Sequence, residues 1–225
     1  MYTSLQIVPM VEKILPYLKP DAILTDVGST KGFIWSKLKQ ILPHDIDYVA
    51  GHPMTGSEQS GIKAANAELF RNKGYILIPQ TAKKEKSVKL VNELLKVTGA
   101  NITTMGIEEH DAVAAVISHV PHVVAAGLVN ILGSAETDVD NKLKLAGGGF
   151  KDTTRIASSN SDMWADICIS NADNIIIELE KLQTEITGVI TDIKNNDRDN
   201  IYNYFYKAKC RRDKLIDAAN RILKK

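Results

Sequence analysis

Histidines and two short cationic clusters carry most of the chemistry this sequence can offer. His52 stands in Gly51-His52-Pro53-Met54-Thr55-Gly56-Ser57-Glu58, directly after the apolar run Tyr48-Val49-Ala50. Proline fixes its own φ and pushes the preceding residue toward an extended conformation, so His52 is presented from a stiff segment at a strand end. Imidazole is the side chain best suited to moving a proton near neutral pH. Glu58, further along the loop, can orient it or tune its charge. The plainer alternative is a surface-loop histidine.

Three more strings qualify. In Asp26-Val27-Gly28-Ser29-Thr30-Lys31, a glycine and two hydroxyl residues follow a strand. Such a segment can meet a ligand with backbone and side chain at a helix N-terminus, or simply cap the helix. In Ser118-His119-Val120-Pro121-His122, the two histidines share a helix face. That spacing permits metal binding, but only the His110-Asp111 pair lies upstream and no cysteine or carboxylate cluster accompanies it; lining a polar pocket is the better reading. In Gly147-Gly148-Gly149-Phe150-Lys151-Asp152-Thr153-Thr154-Arg155, Lys151 and Arg155 sit one turn apart on a starting helix. Arg offers a bidentate fork and Lys a point charge for a carboxylate; the alternative is an interhelix loop with surface charges. Trp164 is core by default, or a wall that keeps water from a charged pocket.

The elements that must position these groups fall into two kinds. Up to about residue 105, short apolar runs at 22–24, 48–50, 75–78 and 102–105 alternate with amphipathic stretches, which predicts a mostly parallel α/β sheet. Ile7, Met10, Val11, Ile14, Leu15 and Leu18 recur at helical spacing, with Pro9 suited to a first turn and Pro16 kinking or ending the helix. From Gly106 the pattern is helical only: a long segment interrupted by Pro121, the triple-glycine link, then helices over about 175–193 and 202–223 separated by Asn195-Asn196-Asp197.

Bulk properties exclude several classes. Lys plus Arg total 28 and Asp plus Glu 27 in 225 residues, a net charge of +1. That balance argues against a nucleic-acid partner, and the basic run at 207–212 reads as a solvated helix face. The two cysteines, Cys168 and Cys210, are far apart and suit a reducing cytoplasm. No stretch reads as a bilayer span and the N-terminus does not read as a signal peptide, so no membrane partner is expected.

Taken in order, Thr25-Asp26-Val27-Gly28-Ser29-Thr30-Lys31, the His-Pro-Met-Thr-Gly loop, Ser118-His119-Val120-Pro121-His122 and the Gly147–Arg155 string, followed by Met163-Trp164, resemble the prephenate/arogenate dehydrogenase family of tyrosine biosynthesis. The resemblance runs from about residue 5 to the end. It implies an incomplete Rossmann-like nucleotide-binding domain over residues 1–105 and a helical dimerisation domain over 106–225, working as a homodimer in the cytoplasm. It implies that NAD or NADP takes a hydride from prephenate (or arogenate), that the ring carboxylate leaves as CO₂, and that 4-hydroxyphenylpyruvate forms from prephenate. On the same basis His52 accepts the hydroxyl's hydrogen bond and Ser29 helps hold that histidine. Arg155 binds a substrate carboxylate, and His122, Lys151, Gly148, Glu58 and Trp164 surround the pocket. Gly28 and Ser29 lie on the cofactor side.

The departure is at the front. The family begins with a strand and G-x-G-x-x-G, whose glycines admit the pyrophosphate. This sequence contains no such motif, and we expect an N-terminally truncated member. A shortened gene product, a portion of a longer protein, and a catalytically silent dimerising or ligand-binding module are the alternatives.

Overall fold

The computed structural model describes residues 3–56, 65–133 and 144–223. Helix α1 (Ser4–Ile14) starts earlier than the apolar spacing implies, because Gln6 reaches back and its Oε1 accepts the Thr3 N–H at 3.1 Å. Pro9 therefore lies inside the helix and not in its first turn. Pro16 sits in the 3₁₀ turn Leu15–Tyr17, where the helix ends.

Strand β1 (Ile23–Thr25), helix α2 (Gly32–Ile41), strands β2 (Asp47–Pro53) and β3 (Gly74–Ile78), helix α3 (Glu85–Lys96) and strand β4 (Asn101–Thr104) follow. The sheet order is β1-β2-β3-β4. The expected mostly parallel sheet is mixed: β1–β2 and β3–β4 are parallel, but β2 and β3 are antiparallel. A parallel pair needs a crossover connection, usually a helix. Helices α2 and α3 supply two of them, whereas the described part of the β2–β3 link, residues 65–73, is a series of turns with Asn72 at φ 56°.

Side chains alternate across this sheet. Tyr48, Ala50, Ile76 and Ile78 pack with Val11 of α1 and Ile34 and Leu38 of α2. Val49, Tyr75 and Leu77 pack on the other face with Val91 and Leu95 of α3. The sheet is thus a layer between helices.

Past Thr104 every described element is helical: α4 (Ile107–Ala114), a π turn (Ala115–His119), α5 (Val120–Gly133), α6 (Gly148–Thr154), a 3₁₀ turn (Arg155–Ser158), α7 (Ser161–Ser170), α8 (Ala172–Lys194) and α9 (Arg198–Leu223). The interruption expected at Pro121 comes just before it. The Val120 N–H reaches back to the Ala115 carbonyl across the π turn, and Pro121, with no N–H to give, continues the helix. Two glycines of the expected link, Gly148 and Gly149, are helical.

One expectation about membranes is corrected. The stretch Ile107–Leu132 is long and apolar enough, by length and composition, to cross a bilayer, with a mean hydropathy of 1.8. It also carries the buried polar residues His110, Asp111 and His119, each hydrogen-bonded within the protein, which is the arrangement of a helix packed into protein.

By its contacts the chain forms two compact units, Met1–Ile176 and Ile177–Lys225. In the first, α1 packs on α2 and α7, and α2 on α4. The second holds the rest of α8 and α9, joined at residues 195–197, where Asn196 takes φ 51° and Asp197 Oδ1 accepts the Asn200 N–H at 3.0 Å. Its helices expose Ile177, Ile186, Ile190, Tyr202, Phe205 and Tyr206.

Candidate active site

His52 is placed by the register of β2. Strand β1 pairs with β2 only as far as Thr25 opposite Val49, so Gly51 and His52 run past the carboxyl end of β1 while still pairing with Leu77 and Ile76 of β3. Ligands in open α/β sheets bind at such strand ends. The Asp26 carboxylate completes the gap, its Oδ1 accepting from the Gly51 N–H at 3.2 Å and the Tyr48 hydroxyl at 2.7 Å. Gly51 is needed here: a Cβ would lie 2.8 Å from the Tyr75 ring and 3.0 Å from the Asp26 carbonyl oxygen.

Beneath this strand end Lys31 is fully buried. Its ammonium donates to Asp26 Oδ2 at 2.5 Å and to the Gly51 carbonyl at 2.6 Å. Burial pulls the Lys31 pKa down, against the pull of the Asp26 charge. Gly28 is explained by the interior: an added Cβ would meet Ile7 Cδ1 at 2.8 Å and Asp26 Oδ2 at 2.9 Å. The N-terminus of α2 is filled from within the chain. Asp111 on α4 accepts the N–H groups of Lys31 and Gly32 at 2.9 and 2.8 Å, so the anion seat that the sequence offered to a ligand holds a carboxylate already. Ser29, half-buried, has no hydrogen-bond partner among the described residues.

The partner of His52 is a second histidine and not Ser29. His52 Nδ1 lies 2.8 Å from His110 Nε2, and His110 Nδ1 lies 2.8 Å from Asp111 Oδ1. Both rings are buried. Burial holds His52 well below the ordinary imidazole range, and the positive charge of Lys31 acts in the same direction, with weaker contributions from the neighbouring His110 and His119 rings; the ring is therefore neutral at pH 7. Burial alone would raise the Asp111 carboxyl, but the bonds from His110, Gly32 and Lys31 outweigh it and keep the group below its usual value.

The network continues through Asn171, whose Nδ2 donates to the Asp111 carbonyl at 2.8 Å and lies 3.1 Å from His119 Nδ1. Asn171 Oδ1 accepts from Asn174 Nδ2 at 2.8 Å, which sets the amide orientation. His119 Nδ1 is thus an acceptor and its Nε2 carries the proton. That Nε2 and Trp164 Nε1 are both buried donors without a partner among the described residues, with ring centroids 6.0 Å apart. His122 stacks on Trp164 at 3.8 Å, and its Nδ1 lies 2.8 Å from the Ser118 carbonyl.

The fold therefore joins His52, Trp164 and His122 through His110, Asp111, His119 and Asn171. The His110-Asp111 pair was visible as a string but suggested only a weak metal site; Asn171 gave no signal, because its partners lie far away in sequence. Gly148, Lys151 and Arg155 are exposed on α6 and the turn after it, elements packed against α5, which carries His122. Glu58 lies outside the described residues. An open groove of about 460 Å³ touches the network at Asp111 and Asn171 and includes neither His52 nor Trp164.

Comparison with known proteins agrees with this arrangement. The profile of the prephenate dehydrogenase nucleotide-binding domain matches residues 5–104, and that of the prephenate dehydrogenase dimerization domain matches residues 107–207. The chain is 41% identical to the prephenate dehydrogenase of Bacillus subtilis over 198 residues, covering 88% of this chain but 53% of that protein. It thus spans about half the length of this relative. The prephenate dehydrogenase of A. aeolicus, solved with hydroxyphenyl propionate and NAD+, superposes with a TM-score of 0.85 at 33% identity, over 95% of this chain and 74% of the other. A Synechocystis arogenate dehydrogenase gives 0.77 at 28% identity, over 94% and 76%. The α/β layer with its helical continuation, the histidine at the strand end and these matches together place the chain in the prephenate dehydrogenase family.

Proposed function

We propose that this chain carries the proton-accepting and substrate-binding part of an NAD(P)-dependent prephenate dehydrogenase acting in the cytoplasm as a homodimer. Residues 1–105 serve the nucleotide side and residues 106–225 the substrate and dimer side. The single observation that carries this reading is His52: buried, neutral, engaged at Nδ1, and without a partner for Nε2 among the described residues.

The residues present fit the nicotinamide end of a dinucleotide. The half-buried Ser29 hydroxyl stands just beyond the carboxyl end of β1 without a partner among the described residues. A nicotinamide bound there would supply the two-electron acceptor for the hydride of the carbinol carbon, with the ring carboxylate leaving as CO₂ and its bonding pair making the ring aromatic. His52 Nε2 accepts the hydroxyl proton as this happens. Lys31 does not approach substrate; burial first, and then its charge, keep the resting His52 unprotonated. Arg155 and Lys151 hold substrate carboxylates, with Gly148 giving the backbone room there. His122 and Trp164 form the wall. The unpaired donors of His119 and Trp164 suit an acceptor oxygen of the same substrate. The exposed apolar residues of α8 and α9 support pairing with a second copy, and the two free cysteines suit a reducing compartment.

The test is NAD⁺ and NADP⁺ reduction by the purified chain with prephenate and with arogenate, beside His52→Asn. Turnover that drops by roughly a hundredfold or more in the variant is expected. A variant as active as the parent, or a folded chain with no turnover on either substrate, overturns the proposal.

A further inference from the structure

A chain of hydrogen bonds leads from His52 into the protein and begins at two groups that cannot reverse. The backbone N–H groups of Lys31 and Gly32 donate to Asp111 at 2.9 and 2.8 Å, so the Asp111 oxygens are acceptors. The third partner of that carboxylate, His110 Nδ1 at 2.8 Å, must then carry its hydrogen. A neutral imidazole with Nδ1–H offers a lone pair at Nε2. His52 Nδ1, 2.8 Å from that Nε2, must be the donor in turn. The proton on His52 is thereby fixed at Nδ1, and the lone pair is left on Nε2.

We propose that His110 and Asp111 are positioning residues, a two-step relay that sets the tautomer and ring orientation of His52 so that its Nε2 is a proton acceptor. This rests on the reading of His52 as the base. A free histidine side chain favours the opposite tautomer, with hydrogen on Nε2, which would present a donor to the substrate hydroxyl. The relay also supports the product of proton transfer. When Nε2 takes a proton, the Nδ1–H of the new imidazolium bonds to His110 Nε2, and the Asp111 carboxylate lies one ring further on. His110 meets His52 edge-on, with centroids 5.0 Å apart and planes at 62°, so neither ring can rotate about its own plane without breaking a bond. The charged and titratable groups facing His52 are Lys31 at the start of α2, His110 and Asp111 on α4, and His119 in the π turn; Asp26 faces Lys31.

The test is long-range ¹H–¹⁵N NMR of the histidine rings in the whole chain, which reads each tautomer without any need for turnover. Wild-type His52 is expected as Nδ1–H with a bare Nε2. His110→Phe, which removes the acceptor, should move His52 to the Nε2–H form. His110→Gln, whose Oε1 can accept, should keep Nδ1–H. A wild-type His52 protonated at Nε2, or one unchanged in His110→Phe, overturns the relay, and the wild-type measurement stands even if a variant fails to fold. In the kinetic arm, kcat for prephenate oxidation should fall by roughly a hundredfold or more in His110→Phe with KM little changed, as expected for a base in the wrong tautomer, and recover in His110→Gln. Absence of turnover in the wild type defeats the proposed activity but leaves the tautomer result to decide the relay.

Discussion

The ammonium of Lys31 and the carboxylate of Asp26 form an ion pair of 2.5 Å with side-chain exposures of 0% and 6%. Asp26 also accepts from Tyr48, Gly28 and Gly51, and Lys31 donates to the Gly51 carbonyl. One pair thus ties the end of β1, the start of α2 and the residue before His52. Removing one partner strands a charge that water cannot reach. Lys31→Met should cost about 3–5 kcal/mol, read as a lower urea midpoint at unchanged m-value, and adding Asp26→Asn should recover part of it. A loss under about 1 kcal/mol would show that the pair is solvated in solution.

Stability should fall on the acid side because of His119. An unfolded imidazole titrates near 6.5, while burial, opposed by the Asp111 charge, brings His119 down to about 4. Between those values the unfolded chain holds a proton that the folded chain refuses. The stabilising contribution is therefore whole above about pH 6.5 and is lost as pH drops toward 4. His52 acts with the same sign. Denaturation midpoints at about pH 7.5 and about pH 5 should differ less in His119→Gln than in the parent; an equal difference would remove His119 from the account.

Trp164→Phe separates binding from folding. The indole N–H is buried and has no partner among the described residues, so its removal leaves no described group unsatisfied and the thermal midpoint should hold or rise. The wall against His122 is kept by the phenyl ring. If the N–H serves substrate, prephenate affinity should weaken about 5- to 100-fold, the scale of one hydrogen bond. Unchanged affinity with lower stability would assign Trp164 to packing alone.

The second unit predicts its own oligomeric behaviour. Phe205 and Tyr206 on α9 and Ile186 and Ile190 on α8 are exposed, and apolar faces of this kind mark partner surfaces. Phe205→Asp with Ile190→Asp should shift the chain from dimer to monomer in light scattering. A parent that is monomeric at micromolar concentration would defeat the dimer reading.

What the residues alone determine is local. The continuous apolar runs at 48–50 and 75–78 follow from burial on both faces of the sheet, and with the amphipathic stretch that comes after the second run they correspond to β2, β3 and α3. The His-Pro dipeptide makes an extended His52, because proline's ring restricts its neighbour. The family is legible for a similar reason: its strings are short, ordered and chemically specific. What the tertiary structure decides is non-local. Whether β3 runs parallel or antiparallel to β2 depends on the path of the intervening link, which no periodicity encodes. The π turn before Pro121 puts His119 inside the protein, where spacing alone offered only a shared helix face. Above all, the donor to Asp111 is α2, 79 and 80 residues earlier in the chain, and the acceptor for His52 is His110, 58 residues later. Hydrogen bonds of this kind depend on where folded elements meet, so the direction of the proton on His52 is a property of the fold and not of its neighbours in sequence.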